Sequence, residues 1–266
     1  MSDLVTYDVI NDVAHVVLNR PDKLNALTLD MLDDLEKCAH RASKDKSLRA
    51  VLLYGAGDSF SAGLDFGSTA KQLIRVAKTF VPRPLSGNAN GFQGPAWAWR
   101  SVPVPVIAVV TGHCFGGGLQ IALGADFRIA ASDASFSIME SKWGLIPDMS
   151  ASASLSQLVG IDVAKKLTMT AEVVDAATAL RIGLVTEVHD DPHAAADALV
   201  AQIVQRSPDA VASAKWLFER TWEHSSRWTF PIEQFLQAQL LRGKNSTIAR
   251  KAGMARAVPE FVKRQF

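Results

Sequence analysis

Residues 106–123 constrain the fold most. Val106, Ile107, Ala108, Val109 and Val110 form an unbroken apolar run; Gly112 follows, then Gly116, Gly117 and Gly118, after which Leu119, Ile121, Ala122 and Leu123 resume an apolar pattern. That order reads as a strand, a tight glycine turn and a buried helix. Backbone N–H groups at such a helix start have no intrahelical partner and carry the positive end of the helix dipole. They can hold an oxygen that is negative or becoming so. The same three glycines serve equally well to bring a helix close to a sheet.

A second glycine turn follows another strand. Residues 49–54 read as a strand and run into Gly55-Ala56-Gly57-Asp58-Ser59-Phe60-Ser61-Ala62-Gly63-Leu64-Asp65, where Gly63 lets the backbone expose the Leu64 N–H. Donors at Leu64 and Gly117 aimed at one oxygen would form an oxyanion hole, a device in which each donor contributes about 3 to 4 kcal/mol to carbonyl chemistry. Glu140 lies between Met139 and the Trp143-Gly144-Leu145-Ile146-Pro147 run, surroundings that raise a carboxyl pKa and suit proton transfer near neutral pH. The alternative is a surface glutamate beside Lys142. No GxSxG elbow and no defensible Ser-His-Asp set is present, so a serine acyl-enzyme is not favoured.

The other elements follow the chain. Residues 4–10 and 13–18 flank Asn11-Asp12 as a hairpin. Thr28 is a plausible N-cap for a helix with Leu32, Leu35, Cys38, Ala39 and Ala42 on one stripe. Residues 66–100 contain Pro82, Pro84, Gly87, Gly91, Gly94 and Pro95, then Trp97 and Trp99, which reads either as a lid or as simple packing of the tryptophans. Strands at 127–131 and 135–138 complete a strand-strand-helix rhythm that suggests stacked turns of a spiral. Helices are expected at 152–159, 162–169, 176–181, 193–206, 208–222, 231–242 and 246–256, with a strand at 184–188 and Pro231 at a helix start. The expected division is an α/β core over 1–195 and a helical region over 196–266. Trp216, Trp222, Trp228, Phe230 and Phe235 place apolar surface on the last helices, as core or as an oligomer contact.

Composition limits the partners. Twenty-eight Lys and Arg against 27 Asp and Glu give a net charge of +1 in 266 residues, so no bulk field recruits nucleic acid or an anionic membrane. No apolar stretch approaches the length of a membrane span, and the acidic N-terminus does not resemble a secretory signal, so a cytoplasmic protein is expected. Cys38 and Cys114 are the only cysteines, without metal or disulfide spacing, and Cys114 beside the glycine turn reads as a small filler before a nucleophile.

Several ordered motifs together resemble the enoyl-CoA hydratase/isomerase (crotonase) family. They are Ser61-Ala62-Gly63-Leu64-Asp65, Gly112-His113-Cys114-Phe115-Gly116-Gly117-Gly118, Ala125-Asp126-Phe127-Arg128-Ile129-Ala130, and Phe136-Ser137-Ile138-Met139-Glu140 leading to Gly144-Leu145-Ile146-Pro147. Asn19-Arg20-Pro21 with Leu24-Asn25-Ala26-Leu27 adds an N-terminal signature. The resemblance covers nearly the whole chain and is weakest over 66–100. It implies a crotonase-like α/β spiral of ββα turns, a C-terminal helical trimerisation region giving a homotrimer or a dimer of trimers, and a CoA-thioester ligand with no metal or redox cofactor, CoA being part of the substrate. It further implies thioester-oxygen contacts from the N–H groups of Leu64 and Gly117, and CoA contacts near Lys23, Ala26 and Ala62. By the residue itself, Lys23 is a solvated loop lysine.

The family's hydratases use two glutamates, at the positions of Gln120 and Glu140. Gln120 can orient a water but cannot exchange a proton as a carboxylate does. Glu140 alone matches enoyl-CoA isomerases, and Asp148 matches the spacing of the second acid in dienoyl-CoA isomerases, which carry a further aspartate at the position of Gln120. Asp148 is equally a candidate N-cap for the helix near Ser152. Isomerase-like proton shuttling is therefore weighed slightly above hydration. A non-catalytic acyl-CoA-binding member would keep Leu64, Gly117 and Lys23 and leave Glu140 idle. A dinucleotide-binding oxidoreductase is disfavoured, because GHCFGGG lacks the GxGxxG spacing.

Overall fold

The computed structural model describes residues 3–83 and 89–266; Pro84 and Gly87 of the proline- and glycine-punctuated segment lie outside the described residues. Among the described residues nine strands form two sheets. The larger contains β1 (Val5–Ile10), β2 (Val13–Leu18), β3 (Ala50–Gly55), β4 (Val106–Val110), β6 (Phe127–Ala131) and β9 (Glu187–His189), neighbours in that order. The smaller contains β5 (His113–Phe115), β7 (Ser135–Ser137) and β8 (Val174–Asp175).

β1 and β2 pair antiparallel across Asn11 and Asp12, whose φ of 50° and 63° suit the tight turn that matches strand twist. Every later pairing in the large sheet is parallel. β4 is buried along its whole length because the sheet is covered on both faces. Val16, Val51, Leu53, Ala108 and Val110 face one core, shared with Leu32, Leu35 and Cys38 of helix Leu29–Lys44. Leu52, Ile107, Val109 and Ile129 face a second core, closed by Ala196 and Val200 of helix Pro192–Val204, which straddles residue 195. The Thr28 hydroxyl caps Leu29–Lys44 by accepting the Met31 N–H at 3.2 Å.

Each turn of chain gives one strand to the large sheet and a short segment to the small one. Leu27 bridges Leu64, Ser61 bridges Cys114, and β5 pairs with β7. This is the spiral of ββα turns. It places the Gly63 turn and the Gly116 turn side by side.

Four expectations need correction. Trp99 is fully buried in the main core, while Trp97 lies half-buried under the Arg100 guanidinium, 4.6 Å from the ring centroid, so both pack and neither forms a lid. Pro231 sits inside helix Ser226–Arg242, which starts a turn and more earlier than proline chemistry suggests. The strand expected at 184–188 is Glu187–His189, because Leu184 and Val185 turn inward to the core. Asp148 does not cap the following helix. That helix is Ala151–Ser156, and its cap position belongs to Ser150 in the left-handed region at φ 71°.

Trp222, Trp228, Phe230 and Phe235 are exposed on the last helices. No helix among the described residues is long and apolar enough to cross a membrane.

Candidate functional site

The site begins with two glycines that must be glycine. Gly63 and Gly116 have φ of 94° and 50°, values that L side chains rarely adopt. Their backbones also touch: a Cβ on Gly63 would lie 3.0 Å from the Phe115 carbonyl oxygen and 3.7 Å from Gly116 Cα. The surrounding backbone groups are bonded. Gly63 N–H donates to Ser61 Oγ, Leu27 N–H to Gly63 O, Asp65 N–H to Leu27 O, and Gly116 N–H to Ser137 O. The N–H groups of Leu64 and Gly117, one residue after each glycine, find no acceptor among the described residues. Two donors are thus free on adjacent segments.

Glu140 opens the short 3-10 turn Glu140–Trp143, closed by Gly144 at φ 72°. Its Oε1 would lie 3.4 Å from a Cβ on Gly116, so the absence of a side chain there lets the carboxyl approach. Oε1 accepts a 2.5 Å hydrogen bond from Gln120 Nε2, whereas Oε2 is buried without a partner among the described residues. Burial pushes the Glu140 carboxyl above its ordinary value and the nearby Asp148 adds to this; the backbone N–H of Glu140 and the Gln120 amide oppose it. Burial likewise raises Asp148, opposed by its own backbone N–H.

Gln120, 1 % exposed on helix Gly117–Leu123, also accepts the Met149 N–H at 2.8 Å through Oε1. Met149 in turn packs on Gly117, its Sδ 2.9 Å from where a Cβ would stand. Leu64, Gly117, Gln120, Glu140 and Asp148 therefore converge. Such a cluster can hold a carbonyl oxygen by two N–H groups and move a proton at a neighbouring carbon.

Lys23, Ala26 and Ala62 occupy an adjoining rim. Lys23 is exposed at the end of the 3-10 turn Pro21–Lys23, and Ala62 N–H donates to Leu24 O at 2.8 Å. The Ala26 carbonyl already accepts Arg20 Nη1 at 3.0 Å. This rim rests on a residue that sequence reasoning passed over. Asn25 is fully buried: Nδ2 donates to the carbonyls of Ala56 and Ser59, Oδ1 accepts the Arg20 N–H, and its carbonyl accepts the Ser61 hydroxyl. Arg20 and Asp65, also passed over, form a 2.7 Å ion pair across the same loops. Asp65 is held below the usual carboxylate range first by the Ser68 N–H and then by Arg20. The signal available was the Asn19-Arg20-Pro21 and Leu24-Asn25-Ala26-Leu27 pair of motifs, whose tying role appears only once the 56–65 loop is beside it. Cys114 is buried on β5, and burial pushes its thiol upward, which makes it a filler.

Residues 8–259 match the family described as enoyl-CoA hydratase/isomerase. The chain is 34 % identical over 220 residues to the mitochondrial Delta(3,5)-Delta(2,4)-dienoyl-CoA isomerase of Mus musculus, covering 80 % of this chain and 67 % of that protein. It is 36 % identical over 214 residues to a short-chain-enoyl-CoA hydratase of Clostridium acetobutylicum, covering 78 % of each. Among solved structures it resembles an enoyl-CoA hydratase from Bacillus anthracis, with a TM-score of 0.88, 26 % identity, and coverage of 97 % of this chain and 99 % of the other. The motifs, the spiral and these similarities agree: the chain belongs to the enoyl-CoA hydratase/isomerase family, the crotonases.

Proposed function

We propose that the protein binds an acyl-CoA thioester and isomerises its enoyl or dienoyl group by moving a proton on an enolate. The thioester oxygen accepts from the N–H groups of Leu64 and Gly117, an oxyanion hole assembled by two consecutive turns of the spiral. Oε2 of Glu140 takes the proton from one carbon and returns it to another, with Asp148 as a second acid for a longer conjugated substrate. Lys23 and the backbone near Ala26 and Ala62 meet the CoA portion. No resident metal or redox cofactor enters this scheme. The exposed aromatic faces of the last helices support self-association to a trimer or a dimer of trimers.

The observation that carries the isomerase reading is the partner of Glu140. An amide, Gln120, stands where paired glutamates would place and activate a water, and it is already bonded on both sides. Hydration is the second reading, favoured by the 36 % identity to the clostridial hydratase. Incubation with 2-enoyl-, 3-enoyl- and 3,5-dienoyl-CoA, followed by mass and ultraviolet absorbance, separates them. Interconversion without change of mass supports isomerisation; gain of water with 2-enoyl-CoA, abolished by Glu140→Ala, overturns it. Tight acyl-CoA binding without turnover would mark a binding protein instead.

A further inference from the structure

We propose that Gln120 is a positioning residue: by holding Glu140 Oε1 and the Met149 N–H at once, it leaves Oε2 as the one oxygen of Glu140 that exchanges a proton, and fixes that oxygen relative to the turn carrying Asp148. The inference rests on the proton-transfer reading of Glu140 and adds to it a reason for an amide at position 120.

The orientation of the amide is forced. The Met149 N–H can only donate, so the Gln120 atom 2.8 Å from it is the oxygen. The other end must then be the NH2 group, and it faces a carboxylate that can only accept. The bond to Met149 is buried and the bond to Glu140 partly so, surroundings in which each is stronger than in water and costly to leave unmade. The chain through Gln120 joins helix Gly117–Leu123, the Glu140–Trp143 turn and the segment before Ala151–Ser156. Among the described residues no other side-chain hydrogen bond links these three elements. Met149 is also the residue that packs on Gly117, so the clamp sets the acid and the oxygen-binding N–H against one another.

Other residue types would not reproduce this. Leucine offers neither bond, and asparagine is one methylene too short to span both partners. Glutamate reproduces both only while protonated, since its ionised form would set two carboxylates against each other. The charged group facing Glu140 is Asp148, from the turn after Pro147. Gly116, Gly117, Leu27 and Met149 bring no charge. Lys142, on the same short turn as Glu140, is exposed.

The test follows the Glu140 carboxyl by carbon-13 NMR titration of the full protein, assigned with Glu140→Gln, together with hydrogen exchange at the Met149 amide. In Gln120→Leu the Glu140 titration is expected to move upward by about one unit, a tenfold gain in proton affinity, and the Met149 amide to lose protection. The acidic limb of kcat is expected to move with it while KM stays the same. A general loss of packing would lower stability without moving the titration. If Gln120→Leu does not fold, Gln120→Glu decides the matter: two coupled steps shared by the introduced carboxyl and Glu140 support the clamp. An unmoved Glu140 titration in whichever variant folds overturns it. Wild-type protein that turns over no enoyl-CoA would overturn the functional reading alone, because the titration is read without substrate.

Discussion

The two sides of the site differ in how completely their polar groups are satisfied. On the 20–65 side, the buried Asn25 makes four hydrogen bonds through its side chain and carbonyl, Arg20 pairs with Asp65, and the Gly63 turn is tied from Leu27 and Ser61. On the 116–149 side, Glu140 Oε2 is buried without a partner among the described residues and two carboxyls are raised by burial. Apart from the Leu64 N–H, the 20–65 side is bonded throughout these contacts and forms a scaffold that fixes geometry. A buried carboxyl with one idle oxygen costs stability, and it is the kind of group that a proton-transfer site retains. On the proposed function, the difference separates residues that mainly hold the substrate from residues that act on it.

Three substitutions break or sharpen that contrast. Glu140→Gln is expected to lower kcat by about a thousandfold, the usual scale of general acid–base catalysis, with no loss of stability. Because the folded-state pKa of Glu140 is raised, its contribution to stability is fully present below the unfolded value and is lost as pH rises through the folded one. The stability of the variant relative to wild type should therefore grow as pH climbs through that window, which thermal melts over a pH series will show. A variant that is less stable at every pH would place Glu140 among the scaffold residues.

Asn25→Ala acts in the opposite way. It orphans the Ala56 and Ser59 carbonyls and the Arg20 N–H, and urea unfolding is expected to register a loss of about 2 to 3 kcal/mol. The protein that remains folded is expected to keep most of its kcat and to show a raised KM, since the rim near Lys23 loosens first. Lys23→Ala is the mildest: an exposed contact to an anion is worth about 1 kcal/mol or less, so KM is expected to rise up to about fivefold with kcat unchanged, and less at high salt. A drop in kcat with either variant would blur the division between holding and acting.

Much of this was readable from the chain because the signals are local. Asn11-Asp12 dictates a hairpin turn, Thr28 caps the helix that follows it, and a glycine cluster after an apolar run dictates a sharp strand-to-helix turn. Asn25 was not readable in the same way. Its Nδ2 partners lie more than thirty residues away in sequence, so nothing near it announces a buried amide. Trp99 left a lid and simple packing both open for a related reason: proline and glycine around it describe the backbone path, while its burial depends on the helix and strands it meets. Pro231 shows the converse, a residue that breaks helices locally but is carried inside one by the sequence around it. Glu140 and Asp148 could be nominated from surroundings and spacing, but the clamp between Gln120 and Met149 depends on a contact no periodicity encodes.

The stacking of spiral turns has a mechanical consequence. Leu64 belongs to one turn and Gly117 to the next, and the segments carrying them are joined by the bridge between Ser61 and Cys114. An oxygen that accepts from both N–H groups is then a staple across the seam between turns. Bound ligand should resist the parting of those turns, slowing amide exchange along β3 and β4 on both sides of the seam more than in the hairpin at the N-terminal edge of the sheet.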